Sequence, residues 1–380
     1  MQWRNRISLF LLSFNLAVAN AAWAHPEYRV TVMGPANSAA TDINDAGVVV
    51  GTYPFSPTTT HGFLNRGKGF VDLGTLGGTS SNTVAINDNG KVLGHWTTKA
   101  GQQRGFIYYR GKQRDIGIIP GRPTTFTDIN NAGYITAIGY PRSFLRSPTG
   151  TYTDIGFLPY DDPVTNAYAL NNRNQITGES GPLTFPEQTL RTFIWAKGVM
   201  RELAGLGAEP TAGLAINDHG QITGYAALPL GFFDRHAVLH SNGRVIDIDG
   251  RPDTGAPDDN TSEGTGINNH AHIVGTSNHL SGFIWRGKRM QSLNALIDRK
   301  SGWNIGSPQA INDAGQIAAT ATRKGVQYAV RLDLIRPIVT TAPQPQLDEE
   351  GALPAQRMSP AEAAAEAEAQ AREVVRPVSQ

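Results

Sequence analysis

The chain has 380 residues, a formal net charge of +1, 17% charged residues and no cysteine. A near-neutral balance with no basic stripe argues against nucleic acid as a partner. The lack of thiols excludes disulfides, thiolate zinc sites and thiol catalysis.

Residues 1–24 read as a secretory signal peptide. Arg4 and Arg6 precede a mostly apolar stretch, Ile7 to Val18, and Ala22-Trp23-Ala24 supplies the small residues that a signal peptidase accepts before His25. The apolar stretch is interrupted by Ser13 and Asn15 and is shorter than the roughly 20 residues that a membrane span needs. The expectation is a secreted protein, periplasmic or extracellular, that does not span the membrane. Next comes a lone strand, Tyr28 to Gly34.

From there a pattern recurs. It is clearest at Ala85-Ile86-Asn87-Asp88-Asn89-Gly90-Lys91-Val92-Leu93-Gly94, followed by Arg104-Gly105-Phe106-Ile107-Tyr108 and Asp115-Ile116-Gly117. An apolar pair, Asn-Asp-x-Gly and another apolar run describe a tight antiparallel hairpin. The two later runs add a third and a fourth strand. Asn44, Asn87, Asn130, Asn171, Asn217, Asn268 and Asn312 occupy the same place, at spacings of 43, 43, 41, 46, 51 and 44 residues. A four-strand repeat of this length is the sequence signature of a propeller blade. The prediction is an all-β, seven-bladed β-propeller of four-stranded antiparallel blades over residues 25–337. The last repeat lacks a fourth strand, so Tyr28 to Gly34 is expected to close the ring.

The turns carry their own conformational code. Gly47, Gly90, Gly133, Gly220 and Gly315 are structural turn residues suited to positive φ. Asn174, the best substitute, replaces Gly in the fourth repeat. Ala271 replaces it in the sixth, which predicts a strained turn or a different one.

Long insertions fall between second and third strands, at Glu179 to Leu190 and Tyr225 to Arg235, and between repeats at Gly250 to Gly264. Both connection types emerge on one face of a propeller, opposite the Asn turns. Loops on a rigid scaffold are where binding resides, so a functional surface is expected on this insertion face. Phe232 and Phe233, flanked by Gly and Pro, are candidate ligand-binding residues there. Asp253, Asp258 and Asp259 are candidate calcium ligands, weighed against an ordinary solvated loop. Beyond calcium no cofactor is implied. His219, His270, His272 and His25 raise zinc or copper, but other repeats place Ala, Asn or Arg at the turn slot, which reads as a tolerated exposed position. The Asp once per fourth strand reads as a turn acceptor. After Pro337 the chain turns Ala/Glu/Pro-rich, and residues 338–380 read as a disordered tail with a transient helix over 360–375.

These motifs together resemble a known bacterial family. Ala85 to Gly94, His61-Gly62-Phe63 and Asp72 to Gly78 match the HAF-repeat extracellular proteins, whose third strand carries His-Ala-Phe. His236-Ala237-Val238 is similar, whereas Arg104, Arg142, Arg191 and Ser281 replace the His elsewhere. The resemblance covers roughly residues 28 to 336. It implies a secreted β-propeller repeat protein and carries no catalytic residues. No catalytic Ser-His-Asp motif, phosphate-binding Gly loop or metalloprotease helix is present in the sequence. The leading function is a secreted, non-catalytic binding propeller for a protein or glycan at the cell envelope. The alternative is an extracytoplasmic enzyme, a glycan hydrolase or lyase, with its site at the axial funnel.

Overall fold

A computed structural model describes residues 26–182, 189–229, 234–252 and 261–335. The chain divides into two units, Met1–Pro337 and Ile338–Gln380, and the second lies wholly outside the described residues, as does the expected signal peptide.

Seven four-stranded antiparallel sheets make seven blades. Blades 1 to 6 span residues 39–72, 80–117, 125–154, 163–202, 211–247 and 262–292, each with its strands hydrogen-bonded in chain order. Blade 7 takes three strands from residues 303–334, and its fourth is Tyr28–Val32. That strand pairs antiparallel with Val326–Leu334, from Tyr28 opposite Leu334 to Val32 opposite Val330. The two ends of the propeller thus share one sheet, and the edge each would expose is covered.

Four of the sheets bury a third-strand aromatic, where blades 5 and 7 have Val238 and Ala329. Phe63, Phe106, Phe193 and Phe283 are fully buried, each stabilising the fold by roughly 2–3 kcal/mol. Opposite each of them the second strand carries glycine: Gly51, Gly94, Gly178 and Gly275. A Cβ on Gly94 would lie 2.4 Å from the Asn82 carbonyl oxygen and 2.4 Å from Cζ of Phe106. The glycine is what lets the ring lie across the strand. In blade 3 this partner is Ala137, and Phe144 is left only partly buried.

The innermost strand of every blade is kinked at a common place, and that of blade 7 also between Ile305 and Ser307. The register shifts between Ala40 and Asp42, Thr83 and Ala85, Phe126 and Asp128, Ala167 and Ala169, Gly213 and Ala215, Gly264 and Gly266, and Pro308 and Ala310. A bulge at each point re-aims the strand end toward the axis. The connection from blade 6 to blade 7 adds a single helical turn, Leu293–Leu296, and a 3-10 turn, Arg299–Ser301, which the hydrophobic pattern does not announce. Asp298 caps the latter by accepting from the Lys300 N–H, and Gly302 closes it at φ 73.

The turns themselves have the left-handed geometry that their sequences suggest. Gly90 sits at φ 76, Asn174 at φ 57 and Ala271 at φ 56. Ala271 therefore keeps the common turn under strain of about 1 kcal/mol.

Candidate functional site

Because strands alternate in direction, the turns joining first to second strands and third to fourth strands share one face. The remaining connections lie on the other. Bulge and turn together bring the seven Asn turns around the axis, where Asp42, Asn44, Asp45 and their counterparts line a cavity of about 180 Å³.

Each first-position Asn is buried, 3–4% exposed, and makes two kinds of bond. Its Oδ1 accepts the backbone N–H four residues on, at 2.8–3.0 Å, which closes its own hairpin. Its Nδ2 donates to the carbonyl of the next blade's Asn at 2.9–3.1 Å. The last of these runs from Asn312 to Asn44, so the hydrogen bonds form a closed cycle of seven. One amide end meets an N–H and the other a carbonyl, so the side chain must be both donor and acceptor.

A second cycle surrounds the first. The backbone N–H of Asp45, Asp88, Asn131, Asn172, Asp218, Asn269 and Asp313 each donates to Oδ1 of the following blade's residue in this series, at 2.8–3.0 Å. Here only an acceptor is required, and Asp and Asn are both found.

Carboxylates give this mouth its electrostatics. Burial pushes the Asp45 carboxyl up, and repulsion from Asp88, Asp313 and Asp218 adds to it, against the N–H of Asp313. Deeper in, burial raises Asp42 to about 7, with Asp128 and Asp88 raising it further, although the N–H groups of Ile86 and Ile43 both donate to it. Asp128, two blades on, is raised to about 6 by burial against the N–H groups of Leu170 and Ile129.

On the insertion face, the repeat motifs meet as ion pairs. The residue two before the third-strand Phe, or Val238 in blade 5, pairs with the fourth-strand acid: His61 with Asp72 (2.9 Å), Arg104 with Asp115 (2.6 Å), Arg142 with Asp154, Arg191 with Glu202 (3.0 Å) and His236 with Asp247 (2.8 Å). The Asp also accepts a backbone N–H two residues on, from Gly74, Gly117, Gly156 and Asp249. So the recurring Asp is a turn acceptor and a clasp at once. The pairs other than that of buried His236 are partly exposed and contribute about 0–1 kcal/mol each.

Blade 1 adds an aromatic surface to this clasp. Phe55 is 58% exposed and stacks on the His61 ring with centroids 4.0 Å apart and planes 4° from parallel. Tyr140, in the matching connection of blade 3, is 62% exposed. In blade 4, Tyr168 and Asn166 both donate to Oε1 of Glu179, at 2.7 and 3.1 Å, and in blade 5 Arg235 lies over the Tyr225 ring at 4.4 Å. Burial raises the Tyr225 phenol to about 12, and the Glu179 carboxylate adds to it.

The sequence-selected candidates Phe232, Phe233, Asp253, Asp258 and Asp259 lie outside the described residues, as does His25. The His270 and His272 rings lie 5.9 Å apart, and among the described residues no group of three or more His, Cys, Asp or Glu is placed to hold a metal ion. Phe55, Tyr140 and the axial cycles were not singled out from the sequence. The signal for the cycles was there, since the first position is Asn in all seven repeats and the second alternates between Asp and Asn.

Fold and site thus define a seven-bladed, four-stranded propeller closed by its N-terminal strand. The chain is similar in fold to virginiamycin B lyase from Staphylococcus aureus, with a TM-score of 0.52, 11% identity, and 82% of this chain and 100% of that chain covered. It is also similar to the β-propeller domain of the Trilobed protease from Pyrococcus furiosus, with a TM-score of 0.50, 9% identity, and 77% and 95% covered. YCF48 bound to D1 peptide gives a TM-score of 0.50 at 9% identity, with 81% and 97% covered. At such identities the likeness is one of fold alone. No family model matches the chain, and no curated protein does.

Proposed function

We propose that this chain is a secreted, non-catalytic binding propeller of the HAF-repeat kind, which engages a protein or glycan at the cell envelope through its insertion face. The observation that carries the reading is the exposed Phe55 ring stacked on His61, itself held by Asp72. A flat ring fixed from beneath offers contact area at small entropic cost. The axial cavity offers less, because its polar groups are taken up in the two hydrogen-bond cycles. The HAF reading gains a physical rationale from the same place. In this chain the motif residues His61 and Asp72 clasp two strands while Phe63 fills the core. Secretion is proposed on residues 1–24. Phe232 and Phe233 extend the proposed surface, and Asp253, Asp258 and Asp259 remain a proposed calcium loop.

The test is binding of the purified protein to an envelope fraction from the source cell. Phe55→Ser with Tyr140→Ser should weaken it at least about tenfold with the melting temperature unchanged. Binding that survives both this pair and Phe232→Ser with Phe233→Ser would overturn the reading.

One observation favours the enzymatic alternative: Asp42, which lines the axial cavity, is raised to about 7. Perturbed carboxyls in a cleft are what general acid–base chemistry uses. Cleavage of an envelope polysaccharide that Asp42→Asn abolishes would replace the binding reading with a glycan hydrolase or lyase. Fold does not choose between the two, since similar propellers include a lyase and a peptide-bound protein.

A further inference from the structure

A second cavity lies away from both the axis and the insertion face. It opens in the groove between blades 2 and 3, on the side of the Asn turns, and measures about 310 Å³. Lys91, Lys112, Arg114 and Arg146 line it, and no Asp or Glu does. In a chain of 33 basic and 32 acidic residues, four cations around one cavity without a counter-charge are unusual. None of the four forms a salt bridge among the described residues.

Arg146 is the informative one. It is 7% exposed, its Nη1 donates to the Ser147 carbonyl at 3.2 Å, and its Nε has no hydrogen-bond partner. The Tyr152 ring lies 5.9 Å from the guanidinium, and burial raises that phenol, so it supplies no counter-charge. A buried guanidinium without a carboxylate is costly to the fold unless an anion comes to it. The residue is also peculiar to this blade. Opposite the first residue of the second strand, where blade 3 has Arg146, the other blades carry Asn65, Tyr108, Trp195, His240, Trp285 and Leu332. The repeat does not require an arginine here.

Apart from Tyr109 the rest of the wall is apolar, from Ile107 and Ile116 on blade 2 to Ile135 and Pro148 on blade 3. Lys112 and Arg114 stand exposed at the rim. A buried cation, cationic rim and apolar wall are complementary to a molecule that is both charged and greasy. The volume is at the lower end of the roughly 300–1,000 Å³ of ligand pockets.

We propose that the groove between blades 2 and 3 binds a small amphipathic anion: one carboxylate, phosphate or sulfate group on an apolar body. Arg146 takes the anionic head, Lys112 and Arg114 draw it in from solvent, and the isoleucine wall holds the tail. This site is independent of the insertion-face contact.

Titration calorimetry of the purified protein with decanoate and with decyl phosphate, as monomers below micelle formation, tests it. The expected result is one saturable site for at least one of the two, weakened by added salt. Decyl maltoside, with the same tail and no charge, should bind at least about tenfold more weakly, and so should inorganic phosphate alone. Lys112→Gln with Arg114→Gln, both at exposed positions, should weaken binding about tenfold at an unchanged melting temperature. Arg146→Leu should abolish it. Absence of a saturable site for either anion, or undiminished binding by the rim variant, would overturn the proposal. Equal binding of decyl maltoside would make the groove a mere apolar slot, and equal binding of inorganic phosphate a bare anion site; either result refutes it as well.

Discussion

On the Asn-turn face, all seven blades present the same residue at the same place, from Asn44 to Asn312. On the opposite face, the link between second and third strands ranges from residues 140–141 in blade 3 to 183–190 in blade 4. The difference comes from what each face bonds to. At the axis, a turn's partner is the next copy of itself, and a change in one repeat orphans the N–H of its own hairpin and takes a donor from the next blade's carbonyl. Closure makes the seven positions answerable to each other. Away from the axis, a clasp such as Arg104 with Asp115 closes within its own blade. The loops beyond it are free to diverge. Uniformity here marks structure, and variation marks the surface available for function.

The comparison can be broken most forcefully at the axis. Asn87→Leu would leave the Lys91 N–H without a partner and take one of its two donors from the Asn130 carbonyl, which keeps the Gly133 N–H. It should cost roughly 1–3 kcal/mol in a denaturant titration. A similar loss on replacing the partly exposed Arg104 by Ala, expected at under about 1 kcal/mol, would erase the distinction between the faces.

A smaller effect concerns pH. Asp42 and Asp128 titrate in the folded protein at about 7 and about 6, above the unfolded value of about 3.9. The folded state therefore binds more protons between these values, and their contribution to stability is fullest below about pH 4 and is lost as the pH rises to about 7. Buried His95 and His240 and partly buried His272, lowered to about 4, act in the opposite sense over the same range. The difference between variant and wild type isolates the carboxyls. Asp42→Asn with Asp128→Asn should gain in relative melting temperature as the pH goes from 4 to 7. A constant difference would mean that the two carboxyls do not titrate as described.

The smallest change sharpens the comparison within the ring. Ala271→Gly should stabilise by about 1 kcal/mol, because Ala271 alone among the seven turns holds φ 56 without the tolerance of Gly or Asn. No gain would place the strain elsewhere.

Much of this architecture is legible in the sequence because the period repeats. The turn signals, the Phe of the third strand and the spare strand at Tyr28 predict blade number and closure, and the sheets agree. The role of the Asn is harder to read, because local turn chemistry explains Asn87 as well as the inter-blade bond does. What separates them is a column comparison: Asn44 to Asn312 never vary, while Asp45 and Asn131 interchange. The Leu293–Leu296 turn is too short to carry a period. The cations of the inter-blade groove, Lys91, Lys112, Arg114 and Arg146, come from separate turns and strands, and only the docking of blades 2 and 3 brings them together.

The central claim is that the propeller is locked at its axis by two closed cycles of hydrogen bonds. Amide hydrogen exchange at Asp45, Asp88, Asn131, Asn172, Asp218, Asn269 and Asp313 tests it most directly, since each N–H is a link of the outer cycle. All seven should exchange as slowly as the central strands, although they sit in turns at the rim of an open cavity. Fast, loop-like exchange at these amides would contradict the account.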